Sequence, residues 1–501
     1  MITRILAPVL FLSVASILPA LAQETPQSWF DEGRAAVERN AALRAQSQGR
    51  ARNIILFVGD GMGVSTVTAA RILEGQLRGE TGEENVLSFE TFPNVALAKT
   101  YNTDSQVADS AGTMSAMVTG VKTRIGAISV NQFADRRDCR TMDGNRLLTI
   151  LERAEMRGLA TGVVSTARLT HATPAANYAH SVDRNYESDA DADIMRNGGE
   201  CPDIASQLID FSDNVFGSDG LEVAIGGGRS NFLSENMTDP EYGGNGRRRD
   251  GRDLTREWLE RHPASAYVWN QAQFDAVDAA TTDHLLGLFE PSHMQYEADR
   301  EEGGHGEPSL SEMTAKAIEI LSRNENGYYL NVEAGRIDHA HHAVNPRRAL
   351  MDTIALSDAV RTAMAIVDLS ETLIIVTADH SHVFTIAGYP GRGNPILGTV
   401  ANAGGTSQAQ DGMPYTTLGY HNGPAPRFDD EEYTGRANPG AVDTQHVDYQ
   451  ADTLVPLSSE THGGEDVAIY AIGAGADLVR GVMEQNAIFH VMLEASQLEQ
   501  R

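Results

Sequence analysis

Glu333, Asp338, His339, His341 and His342 stand together in one short stretch, Tyr328-Tyr-Leu-Asn-Val-Glu-Ala-Gly-Arg-Ile-Asp-His-Ala-His-His342. If the segment after Gly335 is helical, Asp338 and His342 are at i and i+4 and share a face. A carboxylate and an imidazole so placed can hold a divalent metal such as zinc. Two more carboxylates lie in comparable settings, Asp60 in Val58-Gly-Asp-Gly-Met-Gly63 and Asp379 in Thr377-Ala-Asp-His-Ser-His382. Asp109-Ser110-Ala-Gly-Thr113 opens a small-residue segment, Ala111 to Thr119, of helical character. A serine at a helix N-terminus meets unpaired backbone N–H groups that suit a phosphoryl oxygen. Serine is also a common helix cap, so this residue alone decides nothing. It does not sit in a G-x-S-x-G elbow.

The elements that must position these residues follow from the apolar runs. Asn53 to Val58, Tyr328 to Val332 and Thr372 to Thr377 read as buried strands, leading into Asp60, Glu333 and Asp379. Ala160 to Ser165, Leu221 to Ile225 (followed by Gly226-Gly-Gly-Arg229) and Val467 to Ile472 are further strands. Thr66 to Leu73, Leu310 to Arg323 and Asn345 to Asp368 read as helices, the last with Asn345 as cap and Pro346 at the first position. The alternation predicts an α/β fold, a central, largely parallel sheet flanked by helices on both faces. Ligands bind at the carboxyl edge of such sheets, which gathers three separate acidic residues into one candidate site. From about 388 to 456, Gly, Pro, Asn and acidic residues replace the aliphatic runs, and an inserted, irregular surface lobe is expected.

The chain has 501 residues and 41% hydrophobic content, enough for a packed core. Lys+Arg is 39 against Asp+Glu 69, a formal charge of −30. Such a chain repels nucleic acid and anionic membranes, so an anionic substrate needs local metal ions or arginine. Residues 1–22 read as a signal peptide, with Arg4, an apolar run from Ile5 to Leu18 and an Ala20-Leu-Ala22 cleavage site. No later run is long and apolar enough to span a bilayer, and no membrane anchor is expected. Export to the periplasm or the cell exterior follows, and there the two cysteines, Cys139 and Cys201, most simply pair. Residues 28–49, with Trp29, Phe30, Ala35, Val37, Ala41 and Leu43, look like an amphipathic helix before the core.

Taken in order, the motifs resemble alkaline phosphatase. They are Val-Gly-Asp60-Gly-Met-Gly, Asp109-Ser110-Ala, His171-Ala-Thr173-Pro, Val182-Asp-Arg184-Asn, Glu333-Ala-Gly-Arg-Ile-Asp338-His-Ala-His-His342, Thr377-Ala-Asp379-His380-Ser-His382 and Glu460-Thr-His462-Gly-Gly-Glu-Asp. The animal-type branch is closest, through Tyr267-Val-Trp-Asn270, Leu288-Phe-Glu-Pro291 and His380-Ser-His-Val-Phe-Thr385. The resemblance implies a catalytic domain over 51–501, with the 388–456 lobe as a crown-like insertion. It implies a homodimer too, with the 23–50 helix and the lobe at its interface, and phosphate monoesters as substrates of broad range.

It further implies three metals. One zinc takes Asp338, His342 and His462; a second takes Asp60, Asp379 and His380, with Ser110 as its ligand during turnover. Magnesium takes Asp60, Thr173 and Glu333, with His171 beside it. The donor chemistry agrees, since N/O-rich sets suit zinc and an all-oxygen set suits magnesium. Ser110 is the implied nucleophile, forming a phosphoserine, and Arg184 the bidentate grip on the phosphoryl group. A calcium site maps onto Glu241, the Phe289 carbonyl, Glu290 and Glu307, although much of that branch has Asp where Glu307 stands. The Ala-Gly-Thr-Met run after Ser110 departs from the family's more usual Ala-Thr-Ala pattern, a difference of packing. A sulfatase nucleophile motif, C/S-x-P-x-R, fits neither cysteine nor Ser110. A phosphodiesterase relative usually lacks the third metal set, which is present. An extracellular binding protein without turnover is the reading from another class.

Overall fold

The computed structural model describes residues 49–191, 201–300, 306–424, 428–429, 432–433 and 435–498. The signal peptide expected over 1–22, and nearly all of the helix expected over 28–49, lie outside them. Among the described residues one large sheet is built from β1 (Asn53–Gly59), β2 (Asn94–Lys99), β3 (Ala160–Arg168), β4 (Val223–Gly227), β5 (Ser265–Val268), β6 (His284–Leu288), β7 (Tyr328–Ala334), β8 (Thr372–Ala378), β9 (Val467–Gly473) and β10 (Gly481–Glu484). Their spatial order is β10-β2-β9-β8-β1-β7-β3-β4-β6-β5. Every pairing is parallel except those of β9, which runs antiparallel to both β2 and β8.

The three strands at the centre, β1, β7 and β8, are buried along their whole length, as their continuous Ile, Leu and Val runs require of a sheet covered on both faces. Helices α1 (Val64–Leu77), α2 (Ser110–Thr119), α3 (Ala172–Tyr178), α4 (Leu310–Leu321), α5 (Arg336–His342) and α6 (Pro346–Ile366) flank the sheet. The expected cap of α6 is in place: Asn345 accepts the Arg348 N–H at 3.0 Å, with Pro346 at the first position.

Four strands were not anticipated, β2, β5, β6 and β10. In β2 the alternation is hidden because both of its faces are apolar, with Val95 and Leu97 outward and half-exposed. The reversed direction of β9 is also outside what an apolar run can tell. Within the 388–456 segment, Leu418–Gly423 pairs antiparallel with Phe384–Ile386 and parallel with Thr453–Pro456. The segment is not all surface: Ile396, Leu397, Val400, Leu418 and Tyr420 are buried. Tyr420 reaches α5, its hydroxyl 2.9 Å from Nδ1 of His341, whose Nε2 lies 2.9 Å from the Thr66 hydroxyl. His341 is thereby a buried pin between α1, α5 and this segment.

Cys139 and Cys201 form a disulfide across a sequence separation of 62 residues. A loop of that size contributes about 4 kcal/mol to stability in the chain-entropy account. Among the described residues no helix is long and apolar enough to cross a membrane.

Candidate metal centre

Register brings the acidic residues to one edge. Val58 of β1 stands opposite both Glu333 of β7 and Thr377 of β8, and Ser165 of β3 stands opposite Glu333. Asp60 and Asp379 follow directly at the carboxyl ends of β1 and β8. Gly61 makes the turn with φ +69°, donating its N–H to Asp379 at 2.9 Å. Because β9 is reversed, its leading residues, rather than its trailing ones, reach the same edge. They bring His462, held in a short antiparallel pairing of His462–Gly463 with Ser381–His382.

Asp338, His342 and His462 converge as expected. Oδ1 of Asp338 lies 3.4 Å from Nε2 of each histidine, and the two Nε2 atoms are 3.2 Å apart. Nδ1 of His342 is 2.7 Å from the Glu460 carbonyl, and Nδ1 of His462 is 2.7 Å from the Ala108 carbonyl. A carbonyl accepts only, so each Nδ1 carries the proton and each Nε2 presents a bare lone pair. Bare acceptors facing one another need a cation between them. Donors about 2.0–2.1 Å from a tetrahedral zinc stand about 3.3 Å apart, the spacing found.

The second set repeats this spacing with four donors. Nε2 of His380 is 3.4 Å from Asp60 Oδ1 and from Asp379 Oδ2, and 3.2 Å from Ser110 Oγ. Ser110 Oγ is 3.4 Å from Asp60 Oδ1. Ser110 is the first residue of α2, and the cap is its neighbour: Asp109 accepts the Gly112 N–H at 3.1 Å. With capping done by Asp109, the Ser110 hydroxyl is left for chemistry.

The third set is marked by unpaired buried atoms. Asp60 Oδ2, Thr173 Oγ1, Glu333 Oε1 and His171 Nδ1 are buried and have no hydrogen-bond partner. Three of these are oxygens, the donors magnesium prefers, and buried polar atoms rarely go unpaired. Ser165 donates to the other oxygen of Glu333 and so fixes its carboxylate. Burial, together with the charges of Asp379, Asp338 and Glu333, pushes Asp60 well above the ordinary range, and burial raises Glu333 to about 7. The site thus holds more negative charge than it can keep ionised without bound cations.

Arg184 lies at the rim, donating to Asp109 at 3.1 Å, with Nη2 3.1 Å from Nε2 of His171. Burial and the Arg184 charge hold His171 neutral, well below the ordinary imidazole value. Three residues with roles here were not singled out as site residues. His382 bridges Asp338 (2.8 Å) and Glu460 (2.6 Å), and Ser165 orients Glu333. The signal for His382 and Glu460 was their place two residues from His380 and His462 within the same short motifs.

The expected calcium donors occupy a separate place. Arg229 donates to Glu241 (2.8 Å) and to the Phe289 carbonyl (3.0 Å). Glu290 accepts from the Tyr242 hydroxyl at 2.8 Å, and Glu307 accepts the Gln295 N–H at 2.9 Å with its Oε2 unpartnered. Burial and the nearby Glu290 push Glu307 up to about 8.

A family profile described as Alkaline phosphatase matches residues 51–498. The tissue-nonspecific alkaline phosphatase of Gallus gallus is 45% identical over 489 residues, covering 96% of this chain and 91% of its own length. Alkaline phosphatase of Gadus morhua is 44% identical, covering 94% of this chain and 97% of its own. Among solved structures, Thermus thermophilus alkaline phosphatase matches with a TM-score of 0.64 at 26% identity, covering 91% of this chain and 94% of its own. The enzyme of the Antarctic bacterium TAB5 matches with 0.59 at 22%, covering 90% and 99%, a likeness of fold. With the profile matched over residues 51–498 and a relative 45% identical along nearly the whole of both chains, the chain belongs to the alkaline phosphatase family.

Proposed function

We propose that the chain hydrolyses phosphate monoesters at alkaline pH through a phosphoserine on Ser110, with two zinc ions and one magnesium. One observation carries the reading: the Ser110 hydroxyl stands within 3.4 Å of Asp60 Oδ1 and 3.2 Å of His380 Nε2, and its neighbour Asp109 holds the Arg184 guanidinium. Asp338, His342 and His462 are the residues to hold one zinc, and Asp60, Asp379 and His380 the other. Asp60, Thr173 and Glu333 suit magnesium, with His171 beside them. When bound, such ions lower the pKa of attacking hydroxyl and water groups and neutralise charge on the phosphoryl oxygens.

Ser110 loses its hydroxyl proton, and Oγ attacks phosphorus as the ester P–O bond breaks and the alcohol departs with a proton. Water then attacks the phosphoserine phosphorus; the Ser110 P–O bond breaks, Oγ regains a proton, and inorganic phosphate leaves. Arg184 grips two non-bridging oxygens in a bidentate fork, its aim set by Asp109. The histidine donors must be neutral and Ser110 deprotonated, which favours alkaline pH.

A chromogenic phosphate monoester, assayed against the matching diester and sulfate ester, tests the reading. Turnover of the monoester should dominate, vanish on zinc chelation and return with zinc. Full activity in a metal-free preparation, or no activity when replete, overturns it.

We infer further that the chain is exported, which suits its disulfide, and works as a homodimer. A monomeric mass by light scattering at assay concentration would refute the dimer. Calcium is the proposed occupant near Glu290 and Glu307, where a bare buried carboxylate oxygen faces a second carboxylate. Calcium should raise the melting temperature of the unmodified protein and leave Glu307→Gln unmoved.

A further inference from the structure

Arg184 is held from behind by a charge cluster that the phosphate chemistry does not touch. Its neighbour Asp183 is fully buried, and Oδ2 of Asp183 receives Nε of Arg136 at 3.0 Å and Nε of Arg137 at 2.8 Å. The Asn185 N–H donates to Oδ1 at 3.0 Å. Both arginines come from a loop more than 40 residues earlier in the chain.

The main chain is stitched at the same place. The Arg184 N–H donates to the Gly126 carbonyl at 2.8 Å, and the Arg137 N–H to Val182 at 3.3 Å. Ile128 and Ser181 exchange two backbone hydrogen bonds, each of 2.9 Å. Gly126 donates its own N–H to both oxygens of Asp109, each at 3.0 Å, the carboxylate that also takes the Arg184 guanidinium. Gly126 has φ +77°, and a Cβ there would fall 2.4 Å from Cζ of Arg136, so the guanidinium lies directly against this glycine. Two residues beyond Arg137, Cys139 pins the loop through the disulfide to Cys201, in an apolar cluster that includes Val130, Ala134 and Val182.

We propose that the loop carrying Gly126, Arg136 and Arg137, pinned by the Cys139–Cys201 bridge, is a brace that positions Arg184 and thereby sets phosphate affinity. Asp183, Arg136 and Arg137 are positioning residues: among the described residues none of them is hydrogen-bonded to the metal donors or to Ser110, and they act through the backbone and side chain of Arg184. The brace has its own redox handle. An added dithiol that reduces the bridge to two thiols, and is itself oxidised to a cyclic disulfide, frees the anchored end of the loop, so it acts on substrate and product binding rather than on the serine chemistry. The inference rests on the phosphatase reading of Arg184, and the test separates the two.

Stripping both arginines alone leaves a buried carboxylate without its cations, which destabilises. The variants are therefore Asp183→Asn, the triple Arg136→Gln/Arg137→Gln/Asp183→Asn, and Cys139→Ser/Cys201→Ser. Each is assayed zinc- and magnesium-replete for KM, kcat and the inhibition constant of inorganic phosphate, with zinc content measured alongside. In all three, KM and the phosphate inhibition constant should rise together, by roughly five- to twenty-fold, as for a small misplacement of a clamping group. The change in kcat should stay within about three-fold, with zinc content unchanged. In an Arg184→Ala background Asp183→Asn should add nothing, because its only route has been removed. A lower melting temperature with unchanged KM and phosphate inhibition constant would mean that the cluster is merely structural. An equal loss in the Arg184→Ala background overturns the proposal as well. If Arg184→Ala itself leaves phosphate affinity unchanged, the phosphatase reading of Arg184 fails and the brace falls with it.

Discussion

Nε2 of His382 lies 2.8 Å from Oδ1 of Asp338, the same oxygen that faces His342 and His462, while Nδ1 of His382 lies 2.6 Å from Glu460. Burial alone would lower this imidazole, but the hydrogen bonds to Asp338 and Glu460 lift it to about 9. His382 therefore aims Asp338 without contributing a donor of its own to the three-residue set. His382→Ala should weaken zinc binding about 10–100-fold in chelator competition while excess zinc restores much of the rate. Unchanged zinc affinity would remove His382 from the design.

Ser110→Ala should cost roughly three orders of magnitude or more in rate, because a reacting group is lost. Zinc content should stay near normal, since Asp60, Asp379 and His380 remain. Loss of zinc in that variant would make Ser110 a structural ligand. Arg184→Ala should be milder, raising KM with a smaller fall in kcat.

The third set mixes preferences. Its unpaired oxygens favour magnesium, but the imidazole of His171 lies beside them, and imidazole suits zinc better. Zinc-replete, magnesium-stripped enzyme should be weakly active and recover slowly on adding magnesium, and excess zinc should inhibit. His171→Asp adds a carboxylate, and should tighten magnesium and relieve the zinc inhibition. If magnesium changes neither rate nor metal content, the third set is not a magnesium site.

The metal-free protein should lose stability as pH rises. Glu333 has its pKa raised from 4.5 to about 7, chiefly by burial, and Asp60 and Asp379 are raised by burial and by neighbouring carboxylates. An acid with a raised folded-state pKa binds more protons folded than unfolded. Its stabilising contribution is complete below about 4.5 and is lost as pH climbs through about 7. The melting temperature of the apo protein should fall across that window more steeply than that of the metal-loaded protein. Glu333→Gln should flatten the apo decline. A flat apo profile would show that these carboxylates are not crowded together.

The strand-end carboxylates could be read from sequence because a short apolar run followed by Asp and Gly has few other uses. The ligand sets required the family resemblance, since nothing local links Asp338 to His462 across more than a hundred residues. His382 and Glu460 escaped notice because a histidine or glutamate near a ligand looks like any polar neighbour until its hydrogen bonds are seen. The direction of β9 was hidden for a different reason. An apolar run reports burial, whereas strand polarity depends on connections made far away in the chain. The Asp183 cluster shows the same limit, since nothing local ties Arg136 and Arg137 to a carboxylate 47 and 46 residues further on.

The reversal of β9 also fixes when the centre can first exist. His462 arrives just ahead of β9, and it lies against Ala108, 354 residues earlier, and His342, 120 residues earlier. A growing chain can assemble β1, β7 and β8 and gather most of the carboxylates, but it lacks a donor for the Asp338 set until that strand docks. Metal capture is thereby a report on completion. A chain stalled or clipped before residue 462 keeps β1, β7 and β8 yet cannot close the Asp338 set, so with the zinc proposed there, metal content reads out whether the chain extends past His462.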